Sequence, residues 1–567
     1  MQENSKAVPL LSDSGSIRPR SLMIALLLGA LPALVVWFGE EQTLQRWDLA
    51  VAAAVLLCAL LLLRRHSFPR LEHVPWAVVA LIAMLPVGLA AFHLSSPVTN
   101  DENSVLLQAT ILAEGRLSEP LAVLPTSSAI PPAAAISFAA AFHRPQVFDD
   151  FEKGTRFSKY APGTAFALTP ATLLGQPWLA TLGAALFDLW LIFLVARALG
   201  LATPKVAPLL LVTSPFFLLV HTSVQSEVFT APAVLAGYLA FLKTRAGRPQ
   251  WALALGLACG WIFLTRPLTG VLFAFLAGVL LLWQRDRLKT IPLAIAGGLP
   301  MLALTLWWNH HFTGQWFTSV YEIYATTFGP FTAPPELHPI DVYGNGDFFA
   351  GLLRQCGRWS VAFGGMLGAI SLGVWGAWRL RARDGGLSFL FALLLPCAYA
   401  FHWYPGHRAY LGPLYLFETL ALLLCAALFL LEQAPAQWRH SFLLAMVSLG
   451  GVAFAARWQL IAEESQLRSN PQRMVAEQLS QHANAVVFLP KKYMGSKEKA
   501  LKYWTPSRPL DLAAGGPVIL RTTNELTPAR LVQGLGLEGR QLYRFIPNQD
   551  GLATGILEPF ALTESPR

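Results

Sequence analysis

Two adjacent carboxylates, Asp101 and Glu102, follow Pro97-Val98-Thr99-Asn100 just after an apolar run. A carboxylate at the edge of a membrane can take a proton from a hydroxyl. It can equally stabilise a helix N-terminus, where backbone N–H groups lack partners. Glu227 is a third acid beside an apolar run, with His221 shortly before it; charge next to hydrocarbon is costly unless it is used or wetted. Cations gather at the same kind of place. Lys159 and Arg266 stand where segments enter the bilayer, and Arg156, His407 and Arg408 belong to the same side. An ammonium or guanidinium at headgroup depth can hold a phosphate, or it can snorkel toward lipid headgroups.

The elements that carry these residues are set by composition. Of the 567 residues, 54% are hydrophobic and 13% charged, against about 25% charged in soluble domains. Apolar runs of about 16–22 residues recur, enough to cross ~30 Å of hydrocarbon. Spans are expected near 21–39, 47–63, 75–94, 178–197, 206–222, 228–243, 250–265, 268–284, 290–308, 360–378, 387–404, 411–431 and 440–457. The fold class is thus an α-helical polytopic membrane protein of about thirteen transmembrane helices. The formal net charge of +9 does not point to nucleic acid, because Lys and Arg fall in short loops between apolar runs. Arg18/Arg20, Arg64/Arg65/Arg70, Lys243/Arg245/Arg248, Arg285/Arg287/Lys289 and Arg379/Arg381/Arg383 all fall on one side, the cytoplasmic one.

That parity makes 1–20 a cytoplasmic tail without a signal-peptide cleavage site and 21–458 the membrane module. It sends 95–177, 309–359 and the chain beyond 458 to the opposite side. Within 95–177, Val105, Gln108, Ala109 and Leu112 share one helical face, which predicts an amphipathic helix along the membrane surface with the acids at its start. Segment 161–177 is apolar but short and punctuated by Pro162, Pro170 and Pro177, and reads as a half-immersed interfacial helix. From 465 to 567 the pattern becomes that of a small soluble extracytoplasmic α/β domain, with strands expected at 485–489, 517–520 and 541–545. Four of the five cysteines, Cys58, Cys259, Cys397 and Cys425, lie in apolar runs, leaving Cys356 without an outer partner; no disulfide framework follows.

Several fragments, in order, resemble the GT-C glycosyltransferases, specifically the bacterial branch that includes protein O-mannosyltransferases and the lipid A aminoarabinose transferase. They are Asp101-Glu102 after an early span, a helix ending in Glu114-Gly115-Arg116-Leu117, and Lys159-Tyr160-Ala161-Pro162-Gly163. Further on come Arg266-Pro267, Asn309-His310-His311-Phe312-Thr313-Gly314, and Gly412-Pro413-Leu414-Tyr415-Leu416 with Glu418. The likeness runs over nearly the whole chain. The family usually carries a second proline where Ala161 stands and an arginine where Leu414 stands; Arg408 is the nearby substitute for the latter.

The resemblance implies an inverting transfer of a sugar from a polyprenyl-phosphate donor to an acceptor hydroxyl, the acceptor being a glycan, lipid or protein. It would act at the periplasmic face of the cell inner membrane. Asp101 is then the base, with Glu102 orienting it or the acceptor. Lys159, Arg266, Arg408, His407 and Arg156 are the donor-phosphate candidates, and Tyr160 and Glu227 the donor or acceptor contacts. The transfer requires no cofactor; a divalent metal is open, since some relatives bind one, although only His402 and His407 approach a ligand spacing. Trp307, Trp308, Trp316, Trp359 and Trp403 fit an aromatic belt. Two other readings stay open. An O-antigen polymerase or ligase would centre on Arg354 and Arg358 in the late outer loop. A lipid-linked sugar transporter or flippase would need ionisable groups within the spans, where Asp188 is the main one, and often carries internal repeats, of which none is found.

Overall fold

A computed structural model describes residues 75–81, 84–85, 99–121, 146–150, 152–283, 289–328, 369–400, 407–408, 412–436, 438–440, 442–443, 446, 450, 478–479, 484–489, 516–522, 527–547 and 555–562. The spans expected at 21–39 and 47–63, most of those at 75–94 and 440–457, and residues Cys58, His143, Arg354, Cys356, Arg358, Trp359, His402 and Trp403 lie outside them.

Helix α1 (Asn100–Ala113) lies within residues 95–177. It is followed by strands β1 (Glu119–Pro120), β2 (Val147–Asp150) and β3 (Thr155–Ser158), an antiparallel sheet in the order β1-β3-β2. Helix α2 (Gly163–Leu173) then leads to α3 (Trp178–Ala198). Next come α4 (Val206–Val212), α5 (Pro215–His221), α6 (Ser226–Arg245), α7 (Trp251–Thr265), α8 (Pro267–Leu282) and α9 (Ile291–Thr313). Helix α10 (Val320–Phe328) falls within residues 309–359. It is followed by α11 (Ala369–Asp384), α12 (Leu387–Ala400), the two-residue strands β4 (His407–Arg408) and β5 (Gly412–Pro413), and a 3-10 turn that runs into α13 (Leu420–Glu432).

Helix α3, helix α9 and the stretch Leu414–Glu432 are long and apolar enough to cross a membrane; α7, α8 and Leu387–Tyr399 are shorter apolar helices. Leu179, Phe187 and Trp190 on α3, Leu253 and Leu257 on α7, Val271 and Phe275 on α8, and Ile295 and Leu299 on α9 are exposed. Water would not tolerate so many exposed apolar side chains, whereas lipid does. The protein is membrane-embedded.

Two expectations need correction. Segment 206–222 is not one helix: Ser214 caps α5 through Phe217 N–H, and Pro215 at the first helical position stops α4 from continuing. Helix α1 is not an amphipathic helix lying on the surface. Ser104 and Gln108, one turn apart, bond the β2–β3 hairpin, so its polar side is buried as well as its apolar one. Helix α2 has 11 residues, about 16 Å at 1.5 Å per residue, too short to cross the hydrocarbon.

The helices have two chemically distinct ends. At one, Arg245 donates to the Arg383 carbonyl and Arg383 to the Leu199 carbonyl, while Glu432 accepts from Ala202 and Thr203 N–H. These are the basic loops of the sequence pattern. At the other end lie Asp101, Tyr160, Val224, Glu227, Arg266 and Glu418, linked as described below.

Strands form at β6 (Ala485–Leu489), β7 (Val518–Arg521) and β8 (Gln541–Pro547), near the expected positions. A fourth, β9 (Gly555–Pro559), follows helix α14 (Pro528–Gly534) and β8 and has no counterpart among the expected strands. The sheet order is β7-β6-β8-β9, with β6 parallel to both neighbours and β9 antiparallel to β8. Its centre is built by Val486, Phe488, Val518 and Leu531.

Candidate active site

Thr99 and Glu102 form a capping box at the start of α1. The Thr99 hydroxyl accepts from Glu102 N–H, and Glu102 Oε2 accepts from Thr99 N–H at 2.7 Å. The second carboxylate oxygen of Glu102 accepts from Val224 N–H at 3.1 Å, and Gln225 Nε2 donates to the Thr99 hydroxyl at 2.7 Å. Glu102 is therefore a buried clamp between α1 and the loop that precedes α6. Its neighbour Asp101 is half-buried, and Tyr160 donates its hydroxyl hydrogen to Asp101 Oδ1 at 2.7 Å. Burial, with the Asp101 carboxylate beside it, pushes the Tyr160 phenol well above its ordinary value. Tyr160 thus stays a hydrogen-bond donor, and Asp101 keeps an acceptor role.

Tyr160 is delivered by the hairpin. Ser158 N–H donates to Gln108 Oε1, the Ser158 hydroxyl meets that of Ser104 at 2.8 Å, and Tyr160 N–H donates to the Ser158 hydroxyl. Gln146, at φ 68, holds the left-handed backbone rare for non-glycine residues, and its carbonyl accepts from Ser104 Oγ at 2.6 Å. Beyond Tyr160 the chain turns into α2 at Gly163. A Cβ there would sit 2.4 Å from Thr265 Cγ2 and 2.8 Å from the Leu264 carbonyl oxygen. Only glycine lets α2 start against the end of α7, just before Arg266.

Lys159 is buried. Its Nζ lies 4.6 Å from the ring centre of Tyr324, 4.7 Å from that of Tyr321 and 5.1 Å from that of Tyr160. Both outer tyrosines come from α10, at a spacing that puts them on one helical face. Burial lowers the Lys159 ammonium to about 7, against the partial support of the Asp101 charge. Because the folded value is depressed, the unfolded chain binds more protons between about 7 and 10.5. Stability should therefore rise with pH across that window. The thermal midpoint of detergent-solubilised protein should climb through it, and Lys159→Met should remove this part of the climb; an unchanged slope in the variant would refute a buried Lys159.

Arg266 joins α7 to α8 and is surrounded by acids. Its Nη1 is 2.7 Å from Glu418 Oε1 and 2.9 Å from Glu227 Oε1, and its Nη2 donates to the Tyr399 hydroxyl at 2.8 Å. Tyr399 and Tyr415 face the guanidinium at 5.1 and 5.0 Å. Tyr415 also packs on Tyr399, with ring centres 4.5 Å apart. In this arrangement the Arg266 guanidinium is engaged by two carboxylates and a phenol, and it organises the acids.

Arg156 lies in β3. It stands across the strand pair from Asp149 and forms a buried two-pronged ion pair with it, so it braces the hairpin. His407 and Arg408 form β4, with Arg408 opposite Gly412, two residues before Leu414. The backbone thus brings Arg408 close to the place of the missing arginine.

Sequence reasoning missed Tyr321 and Tyr324, Tyr399, and the clamp made by Thr99 and Gln225. Glu418 carried the same signal as Glu227, an acid near an outer span end, but entered only as a family fragment. Among the described residues no three His, Cys, Asp or Glu side chains converge as metal ligands.

No family model and no curated protein matches the chain. Among solved structures it is similar to ArnT from Cupriavidus metallidurans bound to undecaprenyl phosphate, with a TM-score of 0.50 and 14% identity over 84% of this chain and 94% of that one. The apo form of the same protein gives 0.48 and 13% over the same shares. The archaeal oligosaccharyltransferase AglB from Archaeoglobus fulgidus, in complex with an inhibitory peptide and a dolichol-phosphate, gives 0.42 and 11% over 76% and 64%. The chain has a GT-C-like fold.

Proposed function

We propose that this protein is an inverting glycosyltransferase that moves a sugar from a polyprenyl-phosphate donor to an acceptor hydroxyl on the extracytoplasmic side of the cell inner membrane. The observation that carries the reading is the Asp101 carboxylate, held by Tyr160 and electrostatically coupled to the buried Lys159. Its place at the helix ends away from the basic loops supports the side assigned.

In this reading the acceptor oxygen attacks the anomeric carbon and Asp101 takes its proton. The anomeric carbon–oxygen bond to phosphate breaks, and the bonding pair leaves with the lipid phosphate. Lys159 offsets the developing charge, since an approaching phosphate favours its protonated form. Arg408 and His407 are further phosphate contacts, and Glu227, fixed by Arg266, faces the sugar. The ArnT structure with undecaprenyl phosphate supports a polyprenyl-phosphate donor, and the small C-terminal domain is assigned to the same outer side.

The test is binding of undecaprenyl phosphate to the purified protein at pH 6.5. Lys159→Gln should weaken it about tenfold or more, the worth of one charge-assisted hydrogen bond. Equal affinity in the variant would remove Lys159 from the phosphate site.

A further inference from the structure

A buried ionisable pair that the proposed transfer does not use lies inside the bundle. Asp188 on α3 and His221 at the end of α5 face each other, Oδ2 to Nε2, at 3.3 Å, and both are buried. His221 Nδ1 is 2.9 Å from the Phe217 carbonyl oxygen. That oxygen only accepts, so Nδ1 carries a hydrogen. Nε2 faces the carboxylate across this distance, an ion pair when the ring is charged. The rings of Phe217 and Phe417 wall the imidazole at 4.3 and 5.6 Å between centroids, and an apolar setting strengthens such a polar contact.

His221 is also the last helical residue before the loop that clamps α1. Thr222 and Ser223 close the helix end by bonding back to the Leu219 and Val220 carbonyls. Val224 N–H then holds Glu102, and Gln225 holds Thr99. Asp101 sits between these two clamped residues. On the other side, Phe417, which packs on His221, immediately precedes Glu418 of the Arg266 cluster.

We propose that Asp188 and His221 are positioning residues. Their buried contact ties α5 to α3, and through residues 222–225 it sets the placement of Asp101, an inference that rests on the reading of Asp101 as the base. The function of the pair is mechanical, and neither side chain touches the reacting atoms.

The test is hydrogen–deuterium exchange of the full chain in detergent micelles. Asp188→Ser cannot reach the imidazole, yet its hydroxyl can bond a carbonyl of its own helix and leave α3 intact. It should speed exchange at least tenfold in 216–226 and in 99–104 while leaving 251–282 at wild-type rates. Asp188→Asn can donate to a neutral Nε2 and should restore protection in both segments. Wild-type exchange at 99–104 in Asp188→Ser, or a uniform rise along every helix, would overturn the proposal. Should the serine variant not fold, the wild type alone decides: the two segments should open with the same free energy, and separate openings would refute the link. Retained transfer by Asp101→Asn would sink the base assignment while leaving this exchange result standing.

Discussion

Asp101→Asn should lower the rate of sugar transfer by about 10²–10⁴-fold, the usual contribution of a positioned general base. Asparagine keeps the size of the side chain and an oxygen that can accept from the Tyr160 hydroxyl, so the helix start and its capping box should persist. Only the ability to take a proton is lost. The comparison is best made near pH 6, because the Asp101 charge supports the Lys159 ammonium. Without it Lys159 would lose its proton more readily, and at higher pH weakened phosphate binding would mix with the loss of the base. Single-turnover transfer at saturating donor, with unchanged binding of undecaprenyl phosphate, separates the two effects. Undiminished transfer under those conditions would mean that another group accepts the proton.

Arg266→Met should destabilise the protein by about 3–5 kcal/mol, the cost of leaving buried charge without its partner. Glu227 and Glu418 converge on one guanidinium nitrogen, and its removal strands two carboxylates in the same buried space. Lysine would recover only part of the loss, since an ammonium cannot hold both acids and the Tyr399 hydroxyl with the fixed fork of a guanidinium. Replacing the acids along with the arginine, as Arg266→Met with Glu227→Gln and Glu418→Gln, should regain most of the stability while transfer stays impaired. Thermal unfolding in detergent reads the first effect and the transfer assay the second. A single Arg266→Met variant as stable as the wild type would contradict the buried triad.

These two expectations differ in how far the sequence foresaw them. The acid pair at the start of α1 was legible as carboxylates at a helix N-terminus, a local pattern of residue types; that Thr99 and Glu102 close a capping box there came from the structure. Arg266 was legible as a cation at a span end, but its role was not. Its partner Glu418 lies 152 residues away, and no spacing rule reaches that far. Arg156 shows the same failure at shorter range, since its pairing with Asp149 depends on which strand register the hairpin takes.

Hydrophobic patterning by itself determined that this chain lives in lipid, roughly where most of the described helices lie, and which loops share an end. Burial of apolar runs is additive along the chain and needs no partner to be recognised. Tertiary structure alone decided which carboxylate meets which cation, that three tyrosines surround Lys159, and that α1 is buried on both its polar and apolar sides. Those outcomes depend on side chains brought together across long stretches of chain, where short-range electrostatics and packing act only after the helices have met.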